Sequence, residues 1–451
     1  MKLLILKTLQ AVRRYRTSVL ALVCVLAASC AFSQNITFSG SAKTAIGVFV
    51  RGDNAGDFSP AKEPVSGEVD ARFADCAVFI AGNAYFNALA ANSGGSFSVT
   101  DGLGAELQEA YFTWTSNEFA KGLTAGLKIG RQITAWGKAD GIRIADILCP
   151  QNLASFGTSN YSESRLGIDA VKATFSGTYF SADAYWIPFF RPSALPFESW
   201  NPIGKALIPS SVIFAGNAVP VELGDISKPE LNIANSSYAA RVSFWFPAID
   251  FSLYGYYGFD DSPNFLYTPT IAMPPKIDKF TVTGKYYRYG MAGFDLAVPA
   301  GAFVIRAESA FFIARALQLG QTSLGGCERK NELRALAGID WSKNGWTITA
   351  QYYGDVVFAY VDSLARDAYE HGSTANLSKT LFSDTLTLSC TGLVRWNDLD
   401  GFAGLKAKYS LTDEISLALA FDGYFPGPKS DGTYGKYKDL SCVRFEGTVK
   451  F

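Results

Sequence analysis

The C-terminal segment Val443 to Phe451 constrains the fold more than any other part of the chain. Val443, Phe445, Gly447, Val449 and Phe451 fall on one face of an extended chain, while Arg444, Glu446, Thr448 and Lys450 fall on the other. Side chains alternate across a β-strand with a period of two, so this segment is a strand with one apolar and one charged face. The same alternation recurs upstream. Trp346, Ile348, Ala350 and Tyr352 alternate with Thr347, Thr349, Gln351 and Tyr353. Ile415, Leu417, Leu419, Phe421 and Phe425 alternate with Ser416, Ala418, Ala420, Asp422 and Tyr424. Ile249, Phe251, Leu253, Tyr257 and Phe259 oppose Asp250, Ser252, Tyr254 and Tyr256, and Phe303, Ile305, Ala307 and Phe311 oppose Arg306 and Glu308. A half-buried soluble sheet shows the same period. So long a succession with no helical period between its members favours one closed sheet, because closure removes the unpaired edges that lipid cannot satisfy.

The N-terminus fits export. Lys2, Lys7, Arg13, Arg14 and Arg16 precede an apolar run from Ser18 to Ala28, and the small residues Ser29 to Ser33 follow. A basic region, a short apolar core and a small-residue cleavage site make residues 1–33 a signal peptide, which leaves 34–451 as the mature domain. The apolar run is short for a spanning helix, which needs roughly 20 residues. Lipidation at Cys30 is an alternative, since Leu26-Ala-Ala-Ser-Cys30 loosely resembles a lipoprotein cleavage box.

Composition excludes other classes. The chain is 48% hydrophobic, yet no long apolar stretch follows the N-terminal one, so helical membrane spans are not expected. A net charge of −1 argues against a nucleic-acid partner, which demands a basic surface. Beyond the signal, Cys76, Cys149, Cys327, Cys390 and Cys442 show neither metal spacing nor a disulfide framework and read as scattered wall residues. The one histidine, His371, has no Gly-x-Ser-x-Gly elbow to accompany it and cannot form a histidine metal cluster. No enzyme, metal or cofactor is expected.

Two resemblances sharpen the expectation. The terminal pattern Phe445, Gly447, Val449, Phe451 resembles the C-terminal signal of outer-membrane barrels, which implies recognition by the barrel-assembly machinery and places the chain end at the periplasmic rim. Counting back from there puts Ser342-Lys-Asn-Gly345, Pro247-Ala248, Ser383-Asp384 and Leu411-Thr-Asp-Glu414 at that same rim as short turns. The long gaps 188–236, 260–284, 313–331, 361–371 and 426–441 then become extracellular loops. About thirteen strands follow residue 166 and three to five precede it, giving an all-β transmembrane antiparallel barrel of about 16 strands (16–18). The second resemblance lies in Gly130-Arg131-Gln132 with Trp136-Gly137, followed by Asp146-Ile-Leu-Cys-Pro150-Gln-Asn-Leu153. This is similar to a motif of porin-like barrels, including alginate-export-like proteins, and implies a transport barrel without naming a solute. Cys149 and Asn152 depart from the usual Asn and Asp of that motif.

The candidate site residues follow from these placements. Arg131, at the end of a strand running from Leu123, either pairs with a wall carboxylate beside Trp136 or offers charge to an anionic solute. Lys138, Asp140, Arg143 and Asp146 supply the charge for an inward-folded constriction within 133–160. Arg241, Arg306, Glu308, Arg334, Asp340, Arg395, Arg444, Glu446 and Lys450 alternate with apolar neighbours and are expected to face the lumen. Basic residues outnumber acidic ones in this set, which suits either a mild preference for anions or a ladder of ion pairs that stiffens the wall. The Pro- and aromatic-rich stretch Trp186 to Pro202 reads most simply as a surface loop packed on its own aromatics, with a lid or an apolar clasp as alternatives. The expected function is an outer-membrane channel for passive diffusion of small solutes. The competing expectations are a surface barrel acting as an adhesin through its long loops, or a channel for apolar solutes. Outer-membrane lipid and the assembly machinery are the expected partners, and an oligomer is compatible with the sequence.

Overall fold

A computed structural model describes residues 35–451 apart from 60–61, 93–97, 155–160, 199, 273–275, 321–323 and 429–431. The signal peptide expected over 1–33 and Cys30 lie outside the described residues. Eighteen strands form one antiparallel barrel, from Asn35–Phe49 to Cys442–Lys450. Each pairs with the next barrel strand along the chain, and the last pairs with the first from Ser41↔Lys450 to Phe49↔Cys442. Strand number thus falls at the upper end of the expected range. Five strands precede residue 133 and thirteen follow it.

Burial is inverted relative to a water-soluble sandwich, as the alternation requires. In the last strand Phe445 is 50% exposed, while its neighbours Arg444 and Glu446 are 6% and 5% exposed. Trp346, Ile348, Tyr352, Leu405, Leu419 and Leu253 likewise face outward and remain exposed. Such a belt is stabilised only when its apolar area leaves water for lipid, at about 25 cal/mol per Å². The charged faces meanwhile pair with one another inside.

The two rims differ. One carries the chain termini and tight turns at Ala74-Asp75, Pro247-Ala248, Gly301-Ala302 and Asn344-Gly345. Asn344 and Gly345 both adopt positive φ (53° and 74°), the conformation that an Asn-Gly turn supplies at little cost. All four short turns expected from the sequence lie at this rim. The other rim carries the long connections, which are more ordered than loops. Ser211–Phe214, Asn217–Ser227, Asn264–Ala272 and Lys276–Lys285 form a separate four-stranded sheet. Its two hairpins join through a parallel pairing of Lys276–Lys285 with Asn217–Ser227 and the Lys279–Glu222 ion pair.

The Trp186–Pro202 stretch is not a self-packed surface loop. Arg191 reaches the Gly167 carbonyl at 2.6 Å and Glu106 at 3.3 Å. Asn201 caps the short helix Pro202–Leu207 by accepting from the Ile203 amide. Ile203 then buries itself among Phe49, at the end of the first strand, Tyr424, in the penultimate one, and Tyr437 and Leu440 of the connection before the last strand. The stretch therefore straps the mouth from one wall to another. Its prolines keep it extended, and Ile203, just beyond it, anchors it at the far side.

Candidate functional site

The strand Thr124–Gln132 runs out at Gln132, and the chain then turns into the barrel as irregular backbone. An irregular segment in a barrel interior cannot join a ladder, so its amides and carbonyls need other partners. The facing wall provides them. The Glu308 carboxylate accepts from the amides of Lys138 (2.6 Å), Ala139 (2.7 Å) and Ala145 (2.7 Å). Gln351 accepts from the Asp140 amide and donates to the Asp140 carbonyl. Tyr254 accepts from the Gly137 amide, and Arg306 donates to the Lys138 carbonyl. Asn376 donates to the Asp140 carboxylate. Within the segment, Asp146 accepts from the Trp136 amide and pairs with Arg165, and Arg143 donates to the carbonyls of Asp146 and Cys149. Gly137 has φ +83°, and a Cβ there would lie 2.4 Å from a Glu308 oxygen, so only glycine fits this cradle.

Apolar packing completes the anchorage. Trp136, Ile144, Ile147, Leu148 and Cys149 are buried against Tyr185, Tyr254, Tyr289, Met291, Phe312 and Leu336 of the wall. The Trp136 ring lies 4.9 Å from Tyr254 and 6.0 Å edge-on from Tyr185. Burial pushes the Cys149 thiol up to about 12.

The segment covers one wall only, so the remaining lumen is eccentric. It has a volume of about 1490 Å³ and lies between the segment and the strands of the opposite wall. Arg334, Arg395, Lys406, Lys408, Arg444 and Lys450 line it. At its long-loop end runs a belt of ion pairs. The Glu332 carboxylate, fully buried, is held by Arg315 (3.0 Å), Arg334 (3.0 Å) and Arg366 (2.5 Å). Arg366 continues to Glu370 at 3.2 Å, which Arg395 meets at 3.1 Å. Arg444 pairs with Asp422 and Glu446. Lys408 and Lys450 have no carboxylate partner among the described residues.

Arg131 does not line this lumen. It forms a two-point pair with Asp169 at 2.9 Å on each arm. Alternation places Asp169 on the outward face with Val171, Ala173 and Phe175, since Ile168 and Ala170 are buried inward. Trp136 does not pack beside Arg131 but goes inward to Tyr254. Asp146, Arg306, Glu308 and Asp340 lie in the anchorage of the inward segment rather than along the open lumen. Arg306 pairs with Asp340. Arg241 pairs with Asp183 and, with Lys138, lines a smaller recess of about 240 Å³ on the short-turn side of the segment. Arg143 faces the lumen and pairs with Asp261. The sequence did not single out Tyr254, Gln351 or Asn376, although Tyr254 and Gln351 stood on the polar side of their strands and could have been flagged as inward. The five described cysteines are free thiols. His371 stacks on Tyr369 and shares a hydrogen bond with Tyr352.

Residues 41–448 match the DUF1302 family, described as a protein of unknown function. The chain belongs to this family. No curated protein sequence matches it. The DUF1302 barrel is similar in fold to Acinetobacter baumannii OccAB1, with 9% identity, coverage of 93% of this chain and 97% of that one, and a TM-score of 0.52. It is also similar to Pseudomonas aeruginosa OccD3 (OpdP), with 9% identity, coverage of 93% and 92%, and a TM-score of 0.50. At such identity the likeness establishes the barrel fold of this DUF1302 protein and nothing finer.

Proposed function

We propose that this barrel is an outer-membrane channel for passive diffusion of small polar solutes, with the short-turn rim in the periplasm and the strapped rim outside. The eccentric, charge-lined lumen beside the inward segment carries this proposal. An apolar exterior with a charged, water-accessible interior is the arrangement of a porin rather than of a plugged apolar core. The segment 133–149 sets the narrowest passage, and the residues across from it set the field. Most lining charges are paired across the wall, whereas Lys408 and Lys450 are not, which supports a mild preference for anions. The Gly130-Arg131-Gln132 motif, similar to that of alginate-export-like barrels, serves here as the departure point of the constriction, with Arg131 fixing the strand end from outside. Phe445, Val449 and Phe451 act as the assembly signal.

Single-channel recording of the protein from Gln34 in a planar bilayer tests the proposal. Reproducible ohmic steps are expected, with a reversal potential shifted toward anions under a salt gradient. A folded barrel that remains electrically silent overturns it.

A further inference from the structure

Among the described arginines, all but Arg51, Arg288 and Arg329 pair with a carboxylate. Arg288 and Arg329 are neighbours, and each donates its hydrogen bonds to backbone carbonyls. Arg288 donates to the carbonyls of Ser236 and Ala234, both at 3.1 Å. Arg329 donates to the carbonyl of Arg288 at 3.0 Å and to that of Ala314 at 3.2 Å. Ala314 sits in a bulge between Phe312 and Arg315, at φ +53°, and the bulge directs its carbonyl to Arg329. Arg288 lies 4.3 Å from the centre of the Phe259 ring and 5.5 Å from that of Tyr257, while Arg329 and Lys285 flank Tyr287 at 5.8 and 5.7 Å. The acidic side chain beside Arg329 in sequence, Glu328, is engaged by Lys330.

The position of this cluster identifies its partner. Arg288 pairs in register with Phe259, on the face that carries Leu253 and Tyr257, both more than half exposed toward the outside. The cluster therefore stands on the outer wall, at the upper edge of the apolar belt. The connection whose carbonyls hold Arg288 also exposes Leu231 and Ile233, at 78% and 70%. Two oriented guanidiniums with unused donors lie directly above apolar surface. That juxtaposition suits an amphiphile with an anionic head and apolar chains, since a guanidinium fork matches phosphate oxygens. We propose that Arg288 and Arg329, assisted by Lys285, form a site for the phosphate-bearing headgroup of an outer-leaflet lipid. The site rests on the outer-membrane proposal but is independent of conduction, because it faces away from the lumen.

Native mass spectrometry of the barrel in neutral detergent, titrated with lipid A, tests the site. A saturable one-lipid adduct is expected on the unaltered protein, and R288Q/R329Q should weaken it by about tenfold or more. Arg51→Gln, which removes the remaining unpaired described arginine, should leave the adduct unchanged. Heat-modifiable migration on electrophoresis and unchanged conductance show that the double variant is folded. Equal binding by the double variant, or equal binding of dephosphorylated lipid A, overturns the proposal. Competition by millimolar inorganic phosphate alone overturns the assignment to lipid. A barrel that conducts normally while lipid binding is insensitive to R288Q/R329Q sinks this site and leaves the channel standing.

Discussion

The Glu308 carboxylate stands 2.6 Å from the Lys138 amide, and its two oxygens also receive the amides of Ala139 and Ala145. One wall side chain thus organises both ends of a loop within the inward segment. Removing a buried acceptor leaves each of its donors short by about 1–3 kcal/mol. Glu308→Ala, which strands three donors, is expected to release the segment and raise single-channel conductance. Glu308→Gln keeps a carbonyl acceptor and should fall between. Identical conductance in all three proteins would show that the segment holds without Glu308.

Gly40 makes a close contact at the end of the barrel seam. Its amide and carbonyl exchange hydrogen bonds with Phe451, and a Cβ there would lie 2.5 Å from the Phe451 ring and 2.8 Å from the Ser66 carbonyl. Gly67, its cross-strand partner, has open space at the same test. Gly40→Val should therefore lower the folded fraction seen as heat-modifiable migration, and Gly67→Ala should leave it unchanged. Equal yields of the two would contradict the close fit at the seam.

The lumen field is expected to respond most to its uncompensated charges. Replacing both Lys408 and Lys450 by Glu should move the reversal potential toward cations. Arg444→Gln, which leaves Asp422 and Glu446 without their shared partner, should instead cost stability, by about 3–5 kcal/mol for breaking a buried pair. Denaturant unfolding in detergent separates the two outcomes. A reversal potential indifferent to the lysine changes would assign the lining charges to wall stiffening.

Cys149 provides a probe of the segment's burial. Burial disfavours the thiolate and raises the thiol to about 12, so at pH 8 roughly one thiol in ten thousand is ionised. Maleimide should leave Cys149 unmodified in the folded protein between pH 7 and 9, and Glu308→Ala should expose it. Rapid labelling at Cys149 itself in the unaltered barrel, located by peptide mapping, would place the segment elsewhere.

The strand series was legible because lipid and water impose the same two-residue rhythm on every wall strand, as Phe445 beside Arg444 illustrates. About thirteen strands after residue 166 could be counted from that rhythm and the expected strand length. The cap sheet was not legible: strands such as Asn217–Ser227 stand outside the belt, so neither face is forced to be apolar. Arg131 pairs with a carboxylate, one of the two roles expected of it, but it was also counted among the lumen candidates, although unbroken alternation from Ile129 puts it on the outward face. The strap failed for a different reason. Its anchor is the contact of Ile203 with Phe49 and Tyr437, residues far apart in the chain, and no local pattern announces such a meeting. An inward-folded segment was expected within 133–160, yet its main organiser, Glu308, was legible only as an inward carboxylate.

Because the inward segment occupies one arc of the wall and the open lumen the other, the circumference is divided between two kinds of constraint. Residues such as Glu308, Tyr254 and Gln351 must match a fixed backbone, so change there alters shape and is paid for in folding. On the far arc, Lys408 and Lys450 answer to no such template. In the proposed channel, drift along that arc would retune which solutes pass while leaving the sieve intact, so two homologous barrels with the same gauge would differ in cargo.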